Sequence, residues 1–253
     1  MTLSVQVRPA ACPILFVDAS LQGVQIALID ASSSGRVLWQ ATHGENKGAL
    51  EQVSRLVAAG LAAVGIVASD LLGLVVGVGP GSFTGIKVAL AFVYGLRSGL
   101  DSALPLLGVS SLEAAARALA VGLGGDIVLA LPATKTQGFV ASSGPSGHQA
   151  ARLVDAECPR PLGQTVRGRQ IYITGAWPLL AAAAAAEGEA ITEWTVAQLA
   201  AAALPELVRE ITAAWPHGFG QELPAPRYLR LSTAEERLLA EASALGPQQK
   251  DLK

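Results

Sequence analysis

The stretch Val75–Leu90, VVGVGPGSFTGIKVAL, constrains the fold more than any other part of the chain. Apolar residues and glycines run into a loop of Gly, Pro, Ser and Thr, and an apolar segment with a single lysine follows. That order reads as a buried strand, a tight glycine turn and a helix N-terminus, whose free N–H groups suit an anion. Neither common phosphate loop is matched. The Walker form needs Lys directly after its last Gly and then a hydroxyl, whereas Gly85 is followed by Ile86, Lys87 and Val88. The dinucleotide form G-x-G-x-x-G, begun at Gly77 or Gly79, meets Ser82 or Thr84 where its third Gly belongs. Two readings stay open: an anion cradle, or a sharp turn in which Ser82 or Thr84 caps its own helix.

Such a unit needs a sheet to belong to. Ile14–Ser20, Val24–Asp30 and Arg36–Thr42 read as strands separated by Gly and Ser turns, an antiparallel meander. A helix is expected from about Asn46 to Val64, where Leu50, Val53, Val57, Leu61 and Val64 recur at three- and four-residue steps. The loop is followed by a helix over about Ile86–Leu100 and a strand in Leu104–Ser110. The second half repeats this order loosely. A helix at Ser111–Val121 precedes strands in DIVLALPA, GFVASSG, QAARLVD and QIYITGA, then helices near Leu179–Glu187 and Val196–Trp215. The basic stretch Arg160–Arg169 reads as a solvated loop. A last helix starts at Ser232, with Glu235 completing a capping box.

Three meandering strands, then helix, strand and helix, occurring twice, point to α/β structure. The expected fold is the actin-like ATPase (ribonuclease H-like) fold, two βββαβα-type subdomains with mixed sheets. Apolar residues at 51% and 27 Gly suit close α/β packing, and 253 residues suffice for a sizeable core. The division expected is an extension over 1–13, a first subdomain over 14–110, a second over 111–231, and a C-terminal helix and tail over 232–253.

An actin-like ATPase needs an acid after its first strand, and Asp18 in VDAS fits that place; capping its own turn explains Asp18 equally well. It also needs a second glycine-rich phosphate loop. The matching segment, DIVLALPATKTQG, has no glycine cluster and places Pro132 near the turn. Gly175 reads as a strand-ending glycine.

Several segments together resemble the TsaB (YeaZ) family. GPGSFTGIKVAL resembles its G-P-G-S-F-T-G-x-R signature, ILFVDAS…VQIALID its opening, LPLLGVSSLEAAA its G-V-S-[ST]-L segment, and PRYLR its P-x-Y-L-R near the C-terminus. The resemblance spans about Ile14 to Arg230. The usual loop Arg is Lys87, and the family's D-A-R-x-x-E-V-Y stretch is replaced by Pro132–Phe139, PATKTQGF. The resemblance implies a non-catalytic relative of TsaD, serving to make N6-threonylcarbamoyladenosine at position 37 of tRNAs. The partners it implies are a TsaD-like subunit, a TsaE-like ATPase through the complex, and tRNA only through the complex. Alone, the chain is expected to form a homodimer. No intrinsic cofactor is expected, and ATP or ADP at the partner boundary is the one candidate. The residues that would face it are Asp18, Gly79, Pro80, Gly81, Ser82, Phe83, Thr84, Gly85 and Lys87. The rival reading is an actin-like small-molecule kinase or ATPase.

Other chemistries find little support. Net charge −2 gives no standing attraction to nucleic acid or an anionic membrane. His43, His148 and His217 are scattered, with no H-E-x-x-H, so a zinc peptidase is not expected. No G-x-S-x-G is present for a serine hydrolase. Cys12 and Cys158 form no C-x-x-C pair, and the N-terminus lacks a leader pattern. The longest apolar run, Leu56–Ala68, falls short of the roughly 20 residues that span a bilayer, so a cytoplasmic protein is expected.

The helix after the loop is apolar almost all round, with no charge between Lys87 and Arg97. One side covers the chain's own sheet and the other needs a neighbour. The helical wheel places Val88, Ala89, Phe92 and Leu96 toward the sheet. Leu90, Val93, Tyr94 and Arg97, with Leu50, Val53 and Val57 of the preceding helix, are assigned to the partner interface.

Overall fold

The computed structural model describes residues 12–230 apart from 22, 33–34, 45–48, 101–102 and 156–158, and at 49–50 and 159–161 the backbone alone. Most of the expected N-terminal extension, the helix expected from Ser232 and Cys158 lie outside the described residues.

The first half runs β1 (Pro13–Asp18), β2 (Val24–Asp30), β3 (Arg36–His43), α1 (Ala49–Val64), β4 (Gly73–Gly77), α2 (Phe83–Leu100), β5 (Leu106–Val109) and α3 (Ser111–Leu123). The second runs β6 (Ile127–Pro132), β7 (Gln137–Gly144), β8 (Gly147–Asp155), α4 (Pro159–Val166), β9 (Gln170–Thr174), α5 (Pro178–Ala186), β10 (Ile191–Trp194) and α6 (Val196–Ala214). The sheets are ordered β3-β2-β1-β4-β5 and β10-β9-β6-β7-β8. In each, the meander is antiparallel and the following two strands lie parallel to the first. The same order thus occurs twice, and this is the expected actin-like ATPase fold.

Sequence alternation sorts the side chains into layers. Ile14 and Phe16 of β1 and Val75 of β4 point inward to a core that includes Ile127, Leu129 and Leu131 of β6 and the apolar faces of α3 and α6. Leu15, Val17, Leu74 and Val76 point outward to α1 and α2. Val128, Ala130 and Ile171 point outward on the other sheet to α4 and α5. The central strands are therefore covered on both faces, which is why they read as continuous apolar runs. α3 packs on β6, β7 and β8, while α6 packs on α3 and β3. Between these helices Arg117 bonds Glu206 at 3.0 Å and Glu210 at 2.7 Å.

Local signals explain the helix starts. The Ser110 hydroxyl accepts from Glu113 N at the start of α3. Thr195 and Gln198 form a reciprocal capping box at the start of α6. Two elements escaped the sequence reading. α4 lies in the supposed loop Arg160–Arg169, its pattern masked by two prolines and a glycine in PRPLGQTV. β10 is four residues, Thr192 and Glu193 exposed and Ile191 and Trp194 half-buried.

The placement of the α2 face needs correction. Ile86, Ala89, Leu90 and Val93 are the buried stripe, whereas Val88, Phe92 and Leu96 are only partly buried. Leu90 and Val93 therefore face the chain's own sheet, as do Val53 and Val57 of α1, and none of the four lies on a free surface. The Leu50 side chain lies outside what is described. Tyr94 and Arg97 are half-buried and bonded within the chain: the Tyr94 hydroxyl donates to Pro224 O at 2.8 Å and Arg97 Nε to Leu104 O at 2.9 Å. A helix apolar on all sides does not reveal its inward face by periodicity. Its rotation is set by the loop that precedes it.

Val93 is fully buried. Val93→Glu should therefore abolish soluble folded protein, since an unpaired charge in a core costs several kcal/mol. Phe92→Glu should leave a folded chain. Soluble yield and thermal melting of the two variants check the assignment, and the reverse outcome would restore the wheel-based face.

Candidate functional site: a cleft beside the glycine loop

The loop is fastened to the β1–β2 turn by backbone. Ser82 N donates to Ser20 O at 2.7 Å, Gly85 N to the Ser82 hydroxyl at 3.2 Å, and Ile86 N to Ser82 O at 2.9 Å. A Cβ on Gly81 would come closer than 3.0 Å to Ser20 O, and one on Gly85 closer than 3.0 Å to Ala19 O. These glycines are dictated by backbone packed on backbone. The Ser82 hydroxyl caps α2, so the turn reading accounts for both residue types.

The loop borders a cleft of about 220 Å³. Gly81, Ser82 and Phe83 form one wall, and Leu131, Pro132, Ala133 and Phe139 of the second half form the other. Residues 227–230, from the chain after α6, run across it. The turn where a second phosphate loop was expected uses its own amides: Ala133 N and Thr134 N donate to Gln137 O, while Thr136 N and Gln137 N donate to the Thr134 hydroxyl. Lys87 Nζ sits 4.0 Å above the Phe83 ring, and the Tyr228 ring centre lies 4.8 Å from that ring on an inclined plane.

Of the residues expected to face a nucleotide, Gly81, Ser82 and Phe83 line this cleft. Gly79 and Pro80 are buried within the loop and Gly85 in the first turn of α2, where Thr84 and Lys87 are exposed. Asp18 is 2% exposed and lies beneath the loop. Its Oδ1 accepts Ser20 N at 2.7 Å, and its Oδ2 has no hydrogen-bond partner among the described residues. Burial pushes the Asp18 carboxyl above the usual carboxylate range, opposed by the Ser111 hydroxyl and by Ser20.

Glu113 on α3 gave no signal in sequence. Its Oε1 accepts Ala151 N at 2.8 Å and Arg227 Nη1 at 2.7 Å, and its Oε2 lies 4.0 Å from His148 Nε2. Burial works against the charge of Glu113, but the Ala151 N–H and the Arg227 guanidinium outweigh it and hold the carboxyl low. Arg227 and Tyr228, seen in sequence only as part of PRYLR, also prove central to the cleft. Among the described residues, no group of three or more His, Cys, Asp or Glu is placed to hold a metal.

Two expectations follow. Gly85→Ala should lower stability by about 1–3 kcal/mol with no ligand present, because the crowding atom is backbone and cannot swing aside; thermal melting reads this out. For Asp18, the folded form binds its proton more tightly than the unfolded form, so the carboxyl costs stability as pH rises above the unfolded value of 3.8. Asp18→Asn should therefore raise the melting temperature at pH 7, and the gain should shrink as pH falls toward 4. A variant that melts lower at pH 7 would show the carboxylate to be stabilising.

With this geometry in hand, comparisons place the chain among known proteins. The family model of TsaD, tRNA N6-adenosine threonylcarbamoyltransferase, matches residues 46–158. No curated protein sequence matches. YeaZ from Pseudomonas aeruginosa is a structural neighbour with TM-score 0.61 and 19% identity, covering 86% of this chain and 99% of that one. A second structure, an uncharacterised protein with similarity to peptidase YeaZ from the same organism, gives TM-score 0.59 and 19% identity over 86% of this chain and 99% of its own. Residues 46–158 thus match a TsaD-type model, and the two YeaZ structures have the same fold as this chain.

Proposed function

We infer that the chain is a non-catalytic partner subunit in the system that makes N6-threonylcarbamoyladenosine in tRNA, and that it docks a TsaD-like catalytic subunit. The observation that carries this reading is the outer face of α1 and α2. Ala58, Ala59, Ala62 and Ala63 of α1 and Ala91, Gly95 and Gly99 of α2 are exposed, beside partly buried Val88, Phe92 and Leu96. Gly95 and Gly99 have open space where a side chain would stand. Small residues on these two adjacent helices leave room for a partner's helices to approach closely beside Val88, Phe92 and Leu96. A TsaD-like subunit, or a second copy of the chain when it is alone, suits this face.

The cleft supports the non-catalytic part. Its volume of about 220 Å³ is below the roughly 300–1,000 Å³ usual for ligand pockets. Both turns beside it spend amides on their own chain, and Asp18 is absent from its lining. ATP or ADP, if it acts here, belongs at the boundary with the partner, and the TsaE-like ATPase and tRNA are reached through the complex. With net charge −2, the lone chain should hold tRNA no tighter than a Kd of about 10⁻⁴–10⁻⁶ M at physiological salt.

The test is a pair of measurements on the purified chain. Ala62→Glu should keep its melting temperature but lose self-association and co-purification with a TsaD-like subunit, read by light scattering and pull-down. A variant that still pairs overturns the docking face. The parent should show no ATP turnover above background, and sustained turnover lost in Asp18→Asn would establish the rival ATPase reading.

A further inference from the structure

The segment after α6 has no regular structure, yet it is bonded to the first half at Gly220, Gln221, Pro224 and Arg227. Gly220 and Leu106 exchange two backbone hydrogen bonds, at 2.8 and 2.9 Å, on the open edge of β5. Gln221 Nε2 donates to Ala103 O, and Arg97 Nη2 donates to Gln221 Oε1. Pro224 packs at Gly108, where a Cβ would collide with it, and its carbonyl accepts from Tyr94. Arg227 N donates to Val78 O at 2.8 Å, and its guanidinium reaches Glu113. Tyr228 then rests on Phe83. Glu113 is at the same time bonded to Ala151 of the second sheet.

We propose that residues 220–230 are a strap that holds the mouth of the cleft at one setting, with the Arg227–Glu113 pair as its latch. The two halves share the α3–α6 layer, so a motion that opened the cleft would be a rotation about that layer. The strap leaves α6, which packs on α3 in that layer, and is fastened to β5, α2 and the glycine loop on the far side of the cleft. Rotation of the second half must therefore draw on the chain between α6 and Gly220 and on the Glu113 carboxylate, which holds Arg227 of the strap and Ala151 of the second sheet at once. Domain closure around a ligand needs a few residues that absorb the change, and the strap denies this freedom at the mouth. Arg227 and Glu113 are positioning residues here. The inference is independent of the partner reading, because it concerns the angle between halves and not what docks on α1 and α2.

Spin labels read that angle. In a Cys12→Ser, Cys158→Ser background, labels at Ser69→Cys in the first half and Ala182→Cys on α5 report one distance across the cleft. The parent should give a single narrow distribution that does not change on adding MgATP. Arg227→Ala should broaden or lengthen it while circular dichroism stays unchanged, and Arg227→Lys should restore part of the narrowness. A distribution in Arg227→Ala as narrow as the parent's, or a parent that shifts with MgATP, overturns the lock. Should Arg227→Ala fail to fold, Tyr228→Ser, at a side chain 40% exposed, is read by the same criterion.

Discussion

The close approach of the glycine loop to the β1–β2 turn governs much else in this molecule. With Gly81 against Ser20 O and Gly85 against Ala19 O, the start of α2 is pinned to the end of β1. That contact sets the rotation of α2, and hence which apolar side covers the sheet and which is left outside. It also seals Asp18 below the loop. A phosphate cradle needs its amides free and its acid facing the ligand. Here Ser82 N donates to Ser20 O and Gly85 N to the Ser82 hydroxyl, so these two amides serve the turn and the helix cap.

The duplicated topology adds a second constraint. Each half ends in a helix that lies between the sheets, and together α3 and α6 form a central layer that both sheets cover. Neither half has its core to itself. The ionic contacts of Arg117 with Glu206 and Glu210 sit in that layer, where burial pushes the Glu210 carboxyl up and Arg117 opposes it. Arg209 adds a contact to Glu206 from the exposed side, where screening by water makes a single pair worth little.

Much of this was legible in the sequence because alternation and turn residues are local signals. The β1–β3 meander, the β4–loop–α2 unit and the repeated order could all be read from residue spacing. The inward face of α2 could not. VALAFVYGL is apolar on every side, so the choice between Val93 and Phe92 rests on Gly85 meeting Ala19, sixty-six residues earlier in the chain. α4 was hidden for another reason: its Pro and Gly speak against a helix, and packing on α5 and β8 overrides them. In the site, Ser82 and the glycines were visible, but Glu113 was one more acid on an amphipathic helix. Its role depends on Ala151 and Arg227, which reach it only when the second half folds back.

That dependence has a consequence for how the chain is made. Gln25 of β2 donates to Ala200 O across 175 residues, Tyr94 to Pro224 across 130, and Arg227 to Glu113 across 114. The first half, though synthesised first, cannot complete its hydrogen bonding until α6 and the strap have left the ribosome. Until then the β5 edge lacks Gly220, and an uncovered strand edge is a template for pairing with other chains. Contacts this distant in sequence also slow folding, because loop closure precedes the contacts that reward it. The nascent chain therefore passes through a long interval with an open edge, which ends only when Gly220 reaches Leu106.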